Sequence, residues 1–209
     1  MRLHAVLHGS CVNGPGIRSV AWVQGCSLSC KGCWNPLTHA FDAGEEIDSY
    51  DLAEQIVNSA APGTTGLTIS GGEPMHQAES VWRLLLAVKL RRPEWSCGMF
   101  SGYYITELKH GDYDLREDIG VLANRGVKKA LWESQLSPLL DWAVCGRYDR
   151  NSPASDIMPG SRPDAHFVSS SNQQLVLLSN RHSFADFAPL QYEVNIGAEG
   201  LVQVTGFSL

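Results

Sequence analysis

The sequence predicts an α/β protein with a largely parallel sheet covered by helices and a β-hairpin appended at the C-terminal end. Three observations carry this. Short apolar stretches of strand character alternate with longer stretches whose apolar residues recur at helical spacing, which is the pattern of β/α units. The 209 residues, 44% hydrophobic and 18% charged, are enough for one core with an appendage and are neither disordered nor coiled-coil in composition. From Arg147 the texture changes to a stretch rich in Ser, Pro, Asp and Asn, so the core is expected over 1–148 and the appendage over 149–209.

Taken in order, Ile17 to Gln24 alternates apolar and polar residues and reads as a strand. Asp48 or Ser49 can cap a helix with Leu52, Ile56 and Ala60 on one face, stopping before Pro62. Gly66 to Ser70 is a short apolar strand that Gly71 and Gly72 end abruptly. A helix from Glu79 to Arg91 carries Val81, Leu84, Leu85 and Val88 at helical spacing. Trp95 to Ser101 is the next strand, Leu115 to Asn124 a helix with Leu115, Ile119 and Leu122 inward, and Leu139 to Cys145 a further strand. Residues 149–173 read as a long loop, and Gln174 to Leu178 as a strand. Tyr192 to Ile196 and Leu201 to Phe207 flank a Gly-containing turn as a hairpin.

A formal net charge of −6 argues against a broad phosphate-binding surface, so no nucleic-acid partner is expected. No apolar run is long enough to span a bilayer, and residues 1–10 lack a signal-peptide pattern, so the expected location is the cytoplasm, with no membrane partner. A cytosolic chain of this size lives in a reducing pool, and its six cysteines need a reason other than disulfides.

Three of them, Cys26, Cys30 and Cys33, fall within eight residues as Cys-x3-Cys-x2-Cys at the end of a strand, while Cys11, Cys97 and Cys145 are scattered. Three thiolates on one short loop can each ligate one iron of a [4Fe-4S] cubane and leave the fourth iron open to a second molecule. A structural zinc site would want a fourth ligand from a second pair, which is missing. A thioredoxin-like Cys30-x2-Cys33 would have to open a helix alone, against Cys26 and the following Trp34-Asn35-Pro36.

Ser70-Gly71-Gly72-Glu73-Pro74 follows a strand at its C-terminal end, where β/α proteins bind ligands. Its glycines allow close backbone approach, and its carboxylate suits an ammonium group. The same residues are also what the start of a helix would select. Phe100-Ser101-Gly102-Tyr103 ends the next strand as a turn. His39 and His76 near these motifs read as hydrogen-bonded structural histidines, and Arg18 as a group that could guide an anion.

The three-cysteine motif resembles the signature of the radical S-adenosylmethionine (SAM) enzymes. With Val12-Asn13-Gly14-Pro15-Gly16-Ile17-Arg18, Gln24-Gly25-Cys26, Gly32-Cys33-Trp34-Asn35-Pro36 and Thr38-His39, the chain is similar to the activating enzymes of anaerobic ribonucleotide reductase and related glycyl-radical activases. The likeness runs from residue 11 to about 147, with an echo at Ser171-Asn172-Gln173; Cys145 departs from it, standing where an Asp is usual. The resemblance implies a partial (β/α) barrel and a [4Fe-4S] cluster on Cys26, Cys30 and Cys33. It also implies SAM held by Gly32, Trp34, Asn35, Ser70, Gly71, Gly72, Glu73 and Pro74, with Ser101 and Gly102 behind them. It further implies reductive cleavage of SAM to a 5′-deoxyadenosyl radical, with no side chain acting as general acid or base. An electron donor such as flavodoxin or ferredoxin and a glycyl-radical enzyme as protein substrate complete the expectation. Two alternatives remain beside it: a radical SAM enzyme acting on a peptide or small molecule, and an iron–sulfur electron carrier using Cys11 as fourth ligand.

Overall fold

The computed structural model describes residues 1–117, 123–187, 192–196 and 202–206. In chain order the elements are β1 (Arg2–Ser10), β2 (Ile17–Val23), β3 (Glu45–Glu46), α1 (Ser49–Asn58), β4 (Thr64–Gly71), α2 (Ala78–Arg91), β5 (Ser96–Ser101), α3 (Ile105–His110), α4 (Arg125–Ala130), β6 (Trp142–Cys145), β7 (Gln174–Leu177), β8 (Tyr192–Ile196) and β9 (Val202–Gly206). Strands one to seven form one sheet ordered β3-β1-β2-β4-β5-β6-β7, and β8 pairs with β9 alone. The central run β2-β4-β5-β6 is parallel, with antiparallel strands at both edges. The α/β class and the hairpin are therefore as the sequence predicts.

The register sorts side chains by parity. Ala21, Val23, Leu67, Ile69, Cys97, Met99, Ala143 and Cys145 share a core with Leu52 and Ile56 of α1 and with Val81, Leu84, Leu85 and Val88 of α2. Each of the larger side chains buried there is worth about 1.5–3 kcal/mol by transfer. Trp142 and Val144 point to the other face and pack with Phe167, Val168, Leu175 and Phe187, so the polar stretch after residue 149 supplies the apolar cover for this half of the sheet.

Arg18 lies on that second face, fully buried. Its Nε donates to Thr68 Oγ1, Nη1 to Pro15 O and Ser96 Oγ, and Nη2 to Leu67 O and Ser96 O, at 2.6–3.0 Å. All five N–H groups of the guanidinium are thus spent inside the protein, beneath the Trp142 ring, and none is left to guide an anion.

Two local expectations are corrected, and two elements appear that no expectation covered. Leu115 to Asn124 is not a helix at its ends: 115–117 are irregular, and Asn124 Oδ1 accepts from Val127 N, capping α4 instead. Ile119 and Leu122 lie outside the described residues. The stretch from Leu131 to Leu136 continues α4 as a π-helical turn burying Leu131, Trp132 and Leu136. Leu139 belongs to a 3-10 turn begun by Ser137 and Pro138, so β6 starts only at Trp142. Nor does the sequence pattern announce β1, because Leu3, Ala5 and Leu7 alternate with two histidines and a valine.

The hairpin is fastened to the loop between β1 and β2. Glu193 accepts from Ser10 Oγ and Cys11 N, each at 2.7 Å, and Thr205 Oγ1 accepts from Asn13 Nδ2 at 2.9 Å. Among the described residues no helix is long and apolar enough to cross a membrane.

Candidate functional site

The four parallel strands end at one edge, and the loops leaving them build the site, as expected where strand C-termini face a crevice. After β2, Gly25 N donates to Thr38 O (2.8 Å) and Cys26 N to His39 O (3.0 Å), which folds the cysteine loop back on itself. Cys33 N donates to Cys30 O, and Asn35 N to Cys33 Sγ at 3.4 Å. Ser29 sits in the loop at φ 51, a left-handed conformation rare for a side-chain-bearing residue and a sign that the loop is held tightly from outside.

One of the holds is His76. Its Nδ1 faces the Asp114 carbonyl at 2.7 Å, which can only accept, so Nδ1 carries the proton and Nε2 accepts from Ser27 N at 3.2 Å. Burial lowers its pKa, keeping the ring neutral and able to accept. His76 is thus a structural histidine that ties the cysteine loop to the residues after α3.

The end of β4 packs against the same loop. Gly72 N donates to Val23 O and Glu73 N to Gly25 O, at 2.8 and 2.9 Å. A Cβ on Gly72 would stand 2.4 Å from Gly25 O, so only glycine permits this approach. Glu73 is buried, and its carboxylate takes Met75 N (2.9 Å), Ser101 Oγ (2.8 Å) and Gly102 N (2.7 Å). Burial outweighs these donors and pushes its carboxyl up to about 7. The helix-entry role its composition allows is the one seen here: Glu73 caps the 3-10 turn opened by Pro74, and it also stitches the end of β4 to the end of β5.

A cavity of about 1100 Å³ opens at this edge. Cys26, Cys30 and Cys33 line it together with Trp34, Asn35, Ser70, Gly71, Gly72, Glu73, Ser101 and Gly102. Two expected residues do not: Gly32 packs on the Arg150 side chain, and Pro74 is buried at the start of its turn. Sequence reasoning missed Tyr148, whose amide donates to Cys30 and whose ring meets Trp34 edge-on at 6.0 Å. Its position just past the end of β6 was the available signal. It also missed Tyr192, Val202 and Val204, which carry no chemical signature at all.

Does this donor set fit a [4Fe-4S] cluster? All three thiols are half-buried and border one cavity, and amides of Leu28, Tyr148 and Asn35 point at the three sulfurs. Burial first, and then Glu73 and the neighbouring cysteines, push the Cys26 thiol up to about 11, a penalty that a bound cation reverses by taking the thiolate. Among the described residues no three His, Cys, Asp or Glu side chains are gathered closely enough to hold a single metal ion. The remaining cysteines are placed elsewhere. Cys11 precedes β2, a strand of about 20 Å, and does not border the cavity; Cys97 and Cys145 are buried, with thiols raised by burial to about 11 and about 12. Arg147, beside the site, is paired with Glu107 at 2.8 and 3.0 Å and lies over Tyr103 and Tyr104.

Three thiols at the rim of a cavity on parallel strand ends define an iron–sulfur protein with one cluster, and residues 12–176 match the family model described as a 4Fe-4S single cluster domain. The anaerobic ribonucleoside-triphosphate reductase-activating protein of Vibrio cholerae is 31% identical over 147 residues, 68% of this chain and 92% of its own. That of Enterobacteria phage T4 is 26% identical over 72% of this chain and 83% of its own. The pyruvate formate-lyase-activating enzyme of Listeria monocytogenes is 37% identical over 37% of this chain and 33% of its own. The chain belongs to the radical SAM family of glycyl-radical activating proteins.

Proposed function

We propose that this protein cleaves SAM reductively and generates a glycyl radical on a partner enzyme such as anaerobic ribonucleotide reductase, in the cytoplasm and with an electron donor such as flavodoxin or ferredoxin. One observation carries the reading: the three thiols, the Gly71–Glu73 backbone and the Ser101–Gly102 turn border a single cavity. When bound, the reduced cluster and SAM supply methionine and a 5′-deoxyadenosyl radical, which takes a hydrogen atom from the target.

In this reading Cys26, Cys30 and Cys33 hold the cluster, and the backbone of Gly71 and Gly72 orients the methionyl end of SAM. Trp34, Asn35 and Ser70 flank it, and Glu73 keeps the β4 and β5 ends in register rather than spending its carboxylate on the ligand alone. The apolar lining, Leu28 and Phe100 among it, keeps water from the reacting centre. In this reading the parallel strands belong to the family's partial (β/α) barrel, with β7 flanking its β6 edge. Cys11, at the wrong end of β2, supplies no fourth ligand, which favours the enzyme over an electron carrier.

The test is anaerobic reconstitution of the cluster, addition of dithionite and SAM, and assay of 5′-deoxyadenosine. Formation with wild type and with Cys11→Ala supports the reading. No product, together with loss of the cluster in Cys11→Ala, overturns it in favour of the carrier.

A further inference from the structure

Ser171-Asn172-Gln173 runs alongside the residues that leave β6. The β6–β7 ladder ends at Cys145↔Gln174, and beyond it the pairing continues through side chains. Gln173 Nε2 donates to Gly146 O at 3.1 Å, Asn172 Nδ2 to Arg147 O at 2.6 Å, and Asp149 N to Ser170 Oγ at 3.2 Å. Gly146, at φ 122, permits this approach, since a Cβ there would stand 3.0 Å from Asn172 O.

Asn172 does not border the cavity. A carbonyl only accepts, so the amide nitrogen is the atom facing Arg147 O, and it also donates to Tyr104 Oη at 3.3 Å. That orientation leaves Oδ1 buried with no partner among the described residues. An unmet buried acceptor is unfavourable, so what this side chain contributes lies on its nitrogen side.

The peptide it holds is aimed at the cysteine loop. In a trans peptide the C=O and the following N–H lie in one plane and point in opposite directions, and none of the described bonds is cis. Asn172 takes the oxygen of the Arg147–Tyr148 unit, and the N–H on its far side, that of Tyr148, donates to Cys30. The neighbouring groups are fixed too: Arg147 donates to both oxygens of Glu107 at 2.8 and 3.0 Å, and Gly146 N to Ser101 O at 3.0 Å.

We propose that Asn172 is a positioning residue for the cluster: by holding the Arg147 carbonyl it aims the Tyr148 N–H at the Cys30 sulfur, and thereby raises the reduction potential of a cluster bound there. An N–H donated to a ligating sulfur draws charge from it and favours the state with one more electron. A hydrogen bond at the carbonyl end polarises the whole amide and strengthens the donation from its nitrogen end. Asn172 thus acts through a single peptide and sets how readily the cluster takes up its electron. This role rests on Cys30 being a cluster ligand, as the radical SAM reading has it.

The cluster is reconstituted anaerobically, and its reduction potential is measured without SAM by titration followed by EPR. Asn172→Ala and the nearly isosteric Asn172→Leu should each lower the potential. At a fixed poise the ratio of reduced to oxidised cluster should fall about threefold or more, roughly 30 mV for a one-electron couple at about 59 mV per decade. Tyr104→Phe, which removes the other partner of the same amide, should leave the potential unchanged. With isotope-labelled tyrosine nitrogen, the reduced wild-type cluster should show a nitrogen coupling that weakens in both Asn172 variants. Unchanged potentials, an equal fall in Tyr104→Phe, or no tyrosine coupling in wild type overturns the proposal. So does loss of iron in both Asn172 variants, since the residue would then hold the loop together rather than tune the cluster. A wild-type chain that takes up no cluster, or takes one up and forms no 5′-deoxyadenosine once SAM is added, overturns the underlying reading instead.

Discussion

Glu73 shows how one buried carboxyl couples site geometry to stability. Its carboxyl titrates near 7 in the folded chain because burial disfavours the charge more than Met75 N, Gly102 N and Ser101 Oγ favour it; the ordinary value is 4.5. Between about 4.5 and about 7 the folded chain keeps a proton that the unfolded chain has released, so stability falls as pH rises through that window and is flat beyond it. The total is on the order of 3 kcal/mol, at about 1.4 kcal/mol per pKa unit. Urea unfolding of the cluster-free protein on either side of the window should show this loss in wild type and not in Glu73→Gln. The cysteines divide at the same scale. Cys97 and Cys145 are neutral thiols under the sheet at any physiological pH, and should resist alkylation until the chain unfolds. Their Ala variants should retain iron, whereas Cys26→Ala, Cys30→Ala and Cys33→Ala should lose it on reconstitution, as read by iron content.

Elements were legible where a terminus carried its own signal. Asp48 and Ser49 both stand before an apolar helical stripe, and Asp48 is the cap: its Oδ1 accepts from Tyr50 N at 2.7 Å and Asp51 N at 3.3 Å. Asp48→Ala should destabilise by about 1 kcal/mol, measured as a shift in the denaturation midpoint with unchanged slope. Asn124 misled for the same reason that Asp48 did not: an Asn at the edge of an apolar stretch can start a helix or end one, and only the donor at Val127 N decides. The core strands β2, β4 and β5 were readable from the apolar–polar alternation of β2 and the short apolar-centred runs of β4 and β5, whereas β1, at the edge beside only the two-residue β3, alternates too weakly. Of the site, the thiols and the Gly-Gly-Glu turn were visible as residue types. The hairpin's part in the cavity was not, because it depends on a long-range contact, Glu193 to Ser10 and Cys11, that no local pattern encodes. Glu193→Gln removes the charge from that latch. Since hydrogen bonds to charged groups are worth about 1.5–3 kcal/mol, amide exchange in the hairpin should accelerate roughly tenfold or more while that of β4 and β5 stays unchanged.

At the scale of the whole molecule, the question is which part of the chain after β6 the fold needs. The segment 149–187 looks polar in composition, yet it contributes Phe167, Val168, Leu175 and Phe187 to the second core and β7 to the edge of the sheet, paired with β6 from Trp142↔Leu177 to Cys145↔Gln174. Without it Trp142 and Val144 would face water, and β6 would become an open edge, a condition that invites aggregation. The hairpin, by contrast, contributes polar contacts to one loop and an apolar face to the cavity, but among the described residues none to either buried apolar core. Two truncations separate these roles. A chain ending at residue 187 should fold, show the near-native circular dichroism of a packed protein and take up iron on Cys26, Cys30 and Cys33. One ending at residue 148 should be recovered aggregated or as an expanded state that binds hydrophobic dye. If the shorter chain instead folds cooperatively and holds iron, then 149–187 is an accessory layer, and the parallel strands with α1 and α2 alone suffice to position the three thiols.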